Sequence, residues 1–222
     1  MKKLFIFTGI FSALLIATGC SGEKTDRTLQ QKMQEKKPVE VPLENGMARA
    51  YFASGCFWCV EASYESVKGV KEVLSGYSGG HTENPTYESS STGTTGHAEA
   101  IEVIYDPKVV SFATLIDVYF ASQDVTQVNG QGVDRGSQYR SIIFYQNEEQ
   151  KKIVDEKIAA MNKKITPKEV AAEVYPFQKF WVAEAYHQDF EKNNPENGYV
   201  QRVSIPRLKK FQEKLPEVLK KD

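Results

Sequence analysis

Apolar and polar positions divide the 222-residue chain into three parts. Leu4 to Ala17 is almost wholly apolar, a run of about 14 residues, too short to span a bilayer comfortably. Ser21 to Met47 is polar and charged and carries no apolar period. From Ala48 onward strand-like and helix-like stretches alternate. Ala48 to Ser54 reads as a strand. Phe57 to Val67 reads as a helix, with Val60, Tyr64 and Val67 at helical spacing and Gly69 closing it. Val70 to Tyr77 reads as a second strand running into the turn Ser78-Gly79-Gly80. Gly96 to Asp106 alternates around Ala98, Ala100, Glu102 and Ile104, a third strand, and Pro107 ends it. Ser111 is placed to cap a helix through Ser122. Gln123 to Gln138 is polar and glycine-rich, a loop. Then come a strand at Tyr139 to Tyr145, a charged amphipathic helix at Glu148 to Lys164, a strand at Val170 to Tyr175 and a helix at Val182 to Lys192. Alternation of this kind, with some strands adjacent in sequence, predicts an α+β fold: a mixed-sheet, two-layer sandwich with a ferredoxin-like, split-βαβ core.

Composition narrows the function classes. Hydrophobic residues make up 41%, enough for one domain with a core. A formal charge of -1 lacks the basic excess of a nucleic-acid binder. Three cysteines are too few for a disulfide scaffold, and no Cys/His set at ligand spacing is present for a metal. Cys20, Cys56 and Cys59 therefore need individual accounts.

The leader reads as an address. Lys2 and Lys3 precede the apolar run as the basic end of a signal peptide. Ala17-Thr18-Gly19-Cys20-Ser21 resembles the lipobox of bacterial lipoproteins. That resemblance implies cleavage before Cys20 and a diacylglycerol on its thiol; ordinary secretory cleavage is the alternative. The expected organisation is a signal peptide at 1–19, a lipidated flexible tether at 20–47 and a catalytic domain at 48–222. The expected location is extracytoplasmic, anchored to a bacterial membrane at the periplasm or cell surface. Removing Lys2 and Lys3 from 28 basic residues leaves 26 against 29 acidic ones, a formal -3.

Candidate chemistry concentrates in Gly55-Cys56-Phe57-Trp58-Cys59-Val60-Glu61. Cys56 sits where a strand gives way to a helix. A thiol there faces unpaired backbone N–H groups and the positive end of the helix dipole, so a lowered pKa and a nucleophilic sulfur are expected. Cys59 lies three residues on, where a disulfide to Cys56 is geometrically feasible. The bland alternatives are a small buried hydrophobe for Cys59 and a structural thiol for Cys56.

Gly55-Cys56-Phe57-Trp58 also resembles the signature of A-type methionine sulfoxide reductases. The resemblance continues, in order, through Gly76-Tyr77-Ser78-Gly79-Gly80, Asn84-Pro85-Thr86-Tyr87, Gly93-Thr94-Thr95-Gly96-His97-Ala98-Glu99, Gln131 to Ser141 and Ala185-Tyr186-His187-Gln188. It implies that Cys56 attacks the sulfoxide sulfur and becomes a sulfenic acid. It implies that Phe57 and Trp58 wall the methyl pocket and that Glu99 protonates the sulfoxide oxygen. Tyr87 and Tyr139 would donate to that oxygen, with Asp134 supporting the pocket. A thioredoxin-like protein or another dithiol is the implied reductant, with no bound cofactor, and oxidised proteins are the implied substrates of a monomer. His97 is expected to shape the loop before Glu99, and His187 to make a packing hydrogen bond.

The chain departs from the pattern in three places. Its tail, Ile205 to Asp222, lacks the recycling cysteines of many relatives, and Ser91 stands where many have another. Gln123-Asp124-Val125 replaces a common His-Asp-Pro. Cys59 is then the internal candidate to resolve the sulfenic acid, since Cys20 would carry lipid. Rival readings are a C-x-x-C thiol–disulfide oxidoreductase, a cysteine hydrolase using His97 or His187, and a noncatalytic surface lipoprotein.

Overall fold

A computed structural model describes residues 31–221. The leader and Cys20 lie outside the described residues. β1 (Ala48–Ala53), α1 (Phe57–Glu65) and β2 (Val70–Ser78) form a first strand–helix–strand unit. After a short α2 (Tyr87–Ser91), β3 (Ala98–Tyr105), α3 (Phe112–Ala121) and β6 (Ile142–Tyr145) form a second, with the two-residue strands β4 (Gly130–Gln131) and β5 (Asp134–Arg135) between α3 and β6. α4 (Glu148–Ile165), β7 (Glu173–Pro176), β8 (Phe180–Val182), α5 (Phe190–Asn193) and α6 (Ile205–Lys214) complete the chain.

The six-stranded sheet runs β7-β6-β1-β3-β2-β8. Only β6 and β7 are parallel. Its four central strands, β6-β1-β3-β2, have the order and antiparallel neighbours of the expected split-βαβ core. Alternation along the strands sends Ala50, Phe52, Tyr77, Ile101, Val103 and Ile143 to one face, where α1, α3 and α6 cover them. Tyr51, Ala53, Ala98, Ala100, Ile142 and Phe144 face the other way.

That second face explains a difference from the sequence reading. Residues 20–47 are expected as a tether, yet the part from Met33 onward lies on the sheet. Met33 is buried with Tyr51, Phe144 and Phe177, and Val41 packs beside them. The Val39 N–H donates to the Phe177 carbonyl at 2.8 Å, and the Val41 N–H to Gln146 Oε1 at 2.9 Å. Tyr51 stacks on Phe177 with ring centroids 3.7 Å apart. A few apolar residues at no regular period are enough to dock the segment, because the sheet offers an uncovered apolar face. The expected helix at Val182 to Lys192 is also absent. A strand, a 3₁₀ turn and the four-residue α5 stand there, and Asp189, at φ 52°, interrupts any continuous helix.

Candidate active site

β1 delivers the chain to α1 through Ser54-Gly55-Cys56. Gly55 sits at φ +81°, and a Cβ on it would stand 2.6 Å from the Gln131 Cβ. Backbone hand and lack of space both demand glycine here. Cys56 caps α1 but makes no side-chain cap hydrogen bond. The free N–H of Phe57 donates instead to Glu99 Oε2 at 3.0 Å. Glu99 reaches it because β3 alternation turns Glu99 with Ile101 and Val103 toward the helices, beside its register partner Tyr77.

Burial decides the electrostatics. Glu99 is 3% exposed, and burial pushes its carboxyl up to about 8, against the pull of the Phe57 N–H. The acid is therefore protonated near neutral pH. Cys56 departs from expectation. The sequence reading lowers its pKa through the helix terminus; burial instead raises it well above the ordinary thiol value, with Cys59 and Glu99 adding to the rise. The low thiol is Cys59, brought down to about 6 first by a hydrogen bond from Cys56, then by Arg207 and Ser204. Both thiols are free and buried.

The walls are aromatic. Phe57 lies 6.2 Å from Trp58 and 6.4 Å from Tyr87, centroid to centroid. Tyr87 and Tyr139 lie close enough to influence one another, and burial raises both phenols. Asp134 accepts from the Tyr199 hydroxyl at 2.7 Å, and Tyr199 lies edge-on to Trp58, 5.9 Å away. The structure thus brings together Cys56, Phe57, Trp58, Cys59, Tyr87, Glu99, Asp134 and Tyr139.

Several supports escape the sequence reading. Glu184 accepts from the Tyr87 N–H and the Tyr77 hydroxyl, both at 2.9 Å. Glu61 is buried in α1 and accepts from the Ser75 hydroxyl and the Asp189 N–H. Tyr199, Ser204 and Arg207 surround Cys59. Glu184, Tyr199, Ser204 and Arg207 carry no local sequence signal, because their partners lie far away along the chain. The expected packing role of His187 is observed: the Trp58 indole N–H donates to its Nδ1 at 3.1 Å. Burial keeps this imidazole below its ordinary pKa. His97 ties its loop as expected, accepting from the Gly80 N–H at 3.2 Å and pairing with the Thr82 carbonyl at 2.8 Å. Gln123 packs inside, where its amide donates to the Tyr119 carbonyl and accepts from Ser141.

A family model described as peptide methionine sulfoxide reductase matches residues 48–219. The chain is 47% identical over 174 residues to the peptide methionine sulfoxide reductase MsrA of Saccharolobus solfataricus, covering 78% of this chain and 98% of that protein. It is 45% identical over 172 residues to that of Pasteurella multocida, again covering 78% and 98%. Methionine sulfoxide reductase A of Corynebacterium diphtheriae superimposes with a TM-score of 0.62 at 30% identity, over 72% of this chain and 83% of that one. Mxr1 of Saccharomyces cerevisiae, in reduced form, gives 0.61 at 30% identity, over 73% and 92%. With a family match over most of its length, and relatives of this identity nearly fully covered, the chain belongs to the peptide methionine sulfoxide reductase family.

Proposed function

We propose that the protein reduces methionine S-sulfoxide, free and in proteins, through the thiol of Cys56. The observation that carries this reading is the buried Glu99 held by the Phe57 N–H, next along the chain to Cys56, inside an aromatic pocket. A sulfoxide oxygen leaves poorly without a proton, and an acid held neutral to about 8 supplies one. Tyr87 and Tyr139 donate to the same oxygen as charge develops. Phe57 and Trp58 hold the methyl thioether, which packs well on rings. The substrate S–O bond breaks, its sulfur is reduced by two electrons, and Cys56 becomes a sulfenic acid. Cys59 then condenses with it, giving a disulfide and water. A thioredoxin-like dithiol returns both thiols. A thiol–disulfide oxidoreductase would have no use for Glu99 or the tyrosines.

The reading places the enzyme outside the cytoplasm, with Cys20 lipidated. The sequence pattern around Cys20 supports this, as does an otherwise water-facing domain behind an apolar leader. Among the described residues, no helix is long and apolar enough to cross a membrane. Met33 lies thirteen positions after Cys20, so the anchor reaches at most about 45 Å from the sheet. Mass spectrometry of the protein after one equivalent of sulfoxide tests the chemistry. A Cys56–Cys59 disulfide and one methionine per chain are expected; intact thiols beside unreacted sulfoxide would refute it. A diacylglycerol adduct on the mature N-terminal Cys20 is the matching expectation for the anchor, and an unmodified cysteine would remove it.

A further inference from the structure

The stretch after α5 winds as a π-helix over Val200–Ser204 before α6 begins. The Ile205 N–H donates to the carbonyl five residues back, at Val200. Pro206 explains the wide turn: it has no N–H, and its ring crowds the α-helical path before it. The consequence falls on Tyr199 and Ser204. In an α-helix, residues five apart diverge by about 140°. In a π turn they stack, so both hydroxyls reach the Cys59 sulfur, Ser204 Oγ at 3.0 Å and Tyr199 at 3.8 Å. Ser204 is fully buried, and water does not compete for its hydrogen.

α6 adds charge to the same place. Arg207, three residues past Ser204, donates from Nε to the Ser122 carbonyl at 2.7 Å and from Nη2 to the Ser54 carbonyl at 2.8 Å. The guanidinium acts on Cys59 beside the stronger influence of the Cys56 thiol, it also faces the Asp134 carboxylate, and the Glu99 and Glu191 carboxyls face the same sulfur. The Tyr199 hydroxyl, whose hydrogen is engaged by Asp134, lies at the edge of the pocket and leaves Ser204 as the hydroxyl within close reach of the sulfur.

We propose that this π turn builds an ionising pocket for Cys59, in which Ser204 and Arg207 join Cys56 in holding the sulfur as a thiolate and so make it the attacking group in disulfide formation. The proposal rests on the reading of Cys59 as the resolving thiol. In that step the Cys59 thiolate attacks the Cys56 sulfenic sulfur. The S–S bond forms, the S–O bond breaks, and hydroxide leaves with a proton as water. The electrons come from Cys59, and no outside reductant is needed. Ser204 and Arg207 are positioning residues: Ser204 touches Cys59 and Arg207 acts on it through its charge.

The test compares reduced wild type with Ser204→Ala. Thiolate absorbance near 240 nm is titrated from pH 4.5 to 8.5. Disulfide formation is then timed across the same range after one equivalent of methionine sulfoxide. The methionine burst counts folded sites in each preparation. In wild type the first thiolate step is expected near pH 6. In Ser204→Ala it should rise by roughly one unit, and disulfide formation should slow about tenfold at low pH yet converge with wild type at high pH. Loss of packing alone would slow the step at every pH. Arg207→Lys, which keeps the charge, should leave the thiolate step near the wild-type pH. An unmoved step in Ser204→Ala overturns the pocket. A step that moves as expected in a wild type that forms no disulfide upholds the pocket and refutes the resolving role of Cys59.

Discussion

Glu99→Gln isolates the burial of a single carboxyl. Glutamine keeps the shape and an oxygen able to accept the Phe57 N–H, but it cannot ionise. In the folded protein Glu99 titrates near 8, against 4.5 when free. A raised pKa means that the fold binds the proton more tightly. The stability Glu99 contributes is full below pH 4.5 and is lost as pH rises through 8. At pH 7 that loss spans two and a half pH units, or about 3 kcal/mol at ~1.36 kcal/mol per unit. Glu99→Gln escapes it. The two proteins should therefore melt alike near pH 4.5 and diverge as pH rises, with the variant ahead by roughly 6–12 °C at pH 7 for a domain of this size. Activity should move the other way. Losing the general acid should slow sulfoxide reduction on the order of a hundredfold or more. Wild-type reduction should lose its general-acid advantage above pH 8, a loss absent from the variant. Melting by circular dichroism and single-turnover methionine release read both effects. A melting gap independent of pH, or near wild-type reduction by the variant, would refute the reasoning.

The other expectations follow from contacts. Gly55→Ala forces a side chain into positive φ and against Gln131, and should lose about 1–3 kcal/mol in urea unfolding; an unchanged midpoint would show that the turn has slack. His187→Leu leaves the Trp58 indole N–H without its acceptor and should raise KM several-fold, whereas His187→Gln, which retains an acceptor, should recover most of the loss; equal KM values in both would detach Trp58 from this hydrogen bond. Cys59→Ser should stop after about one equivalent of methionine when a thioredoxin-like protein is the reductant, with a trapped sulfenic acid on Cys56 by mass spectrometry; normal recycling would make Cys59 a packing residue.

Strands and long helices were legible because their period matches their burial. α3 is apolar on its core side and begins where Ser111 caps it. α4 buries only Val154 fully and wears its charges outward. The site was legible through Cys56 and its neighbours and through β3, whose alternation aims Glu99 inward. Tyr139 reads as the start of a strand, yet it lies in a 3₁₀ turn that precedes β6, after Gly136 at φ 131°. The Cys56 pKa runs opposite to the sequence expectation because a helix terminus is local and visible in sequence, while burial by distant segments is not. The same reason hides Glu184, Tyr199 and Ser204. Glu184 meets Tyr87 across 97 residues of chain, and Tyr199 and Ser204 meet Cys59 across 140 and 145, on segments whose shape answers to individual hydrogen bonds rather than to a period.

The central claim is that a fixed pocket at Phe57 and Trp58 presents one sulfoxide configuration to Cys56. The direct measurement gives the reduced protein one equivalent of each purified epimer of a blocked methionine sulfoxide, separately, and then catalytic amounts with dithiothreitol. The S epimer should yield one methionine per chain in the first experiment and turn over in the second, while the R epimer stays intact and Cys56→Ser reduces neither. Comparable rates on both epimers, or reduction by Cys56→Ser, would contradict the account.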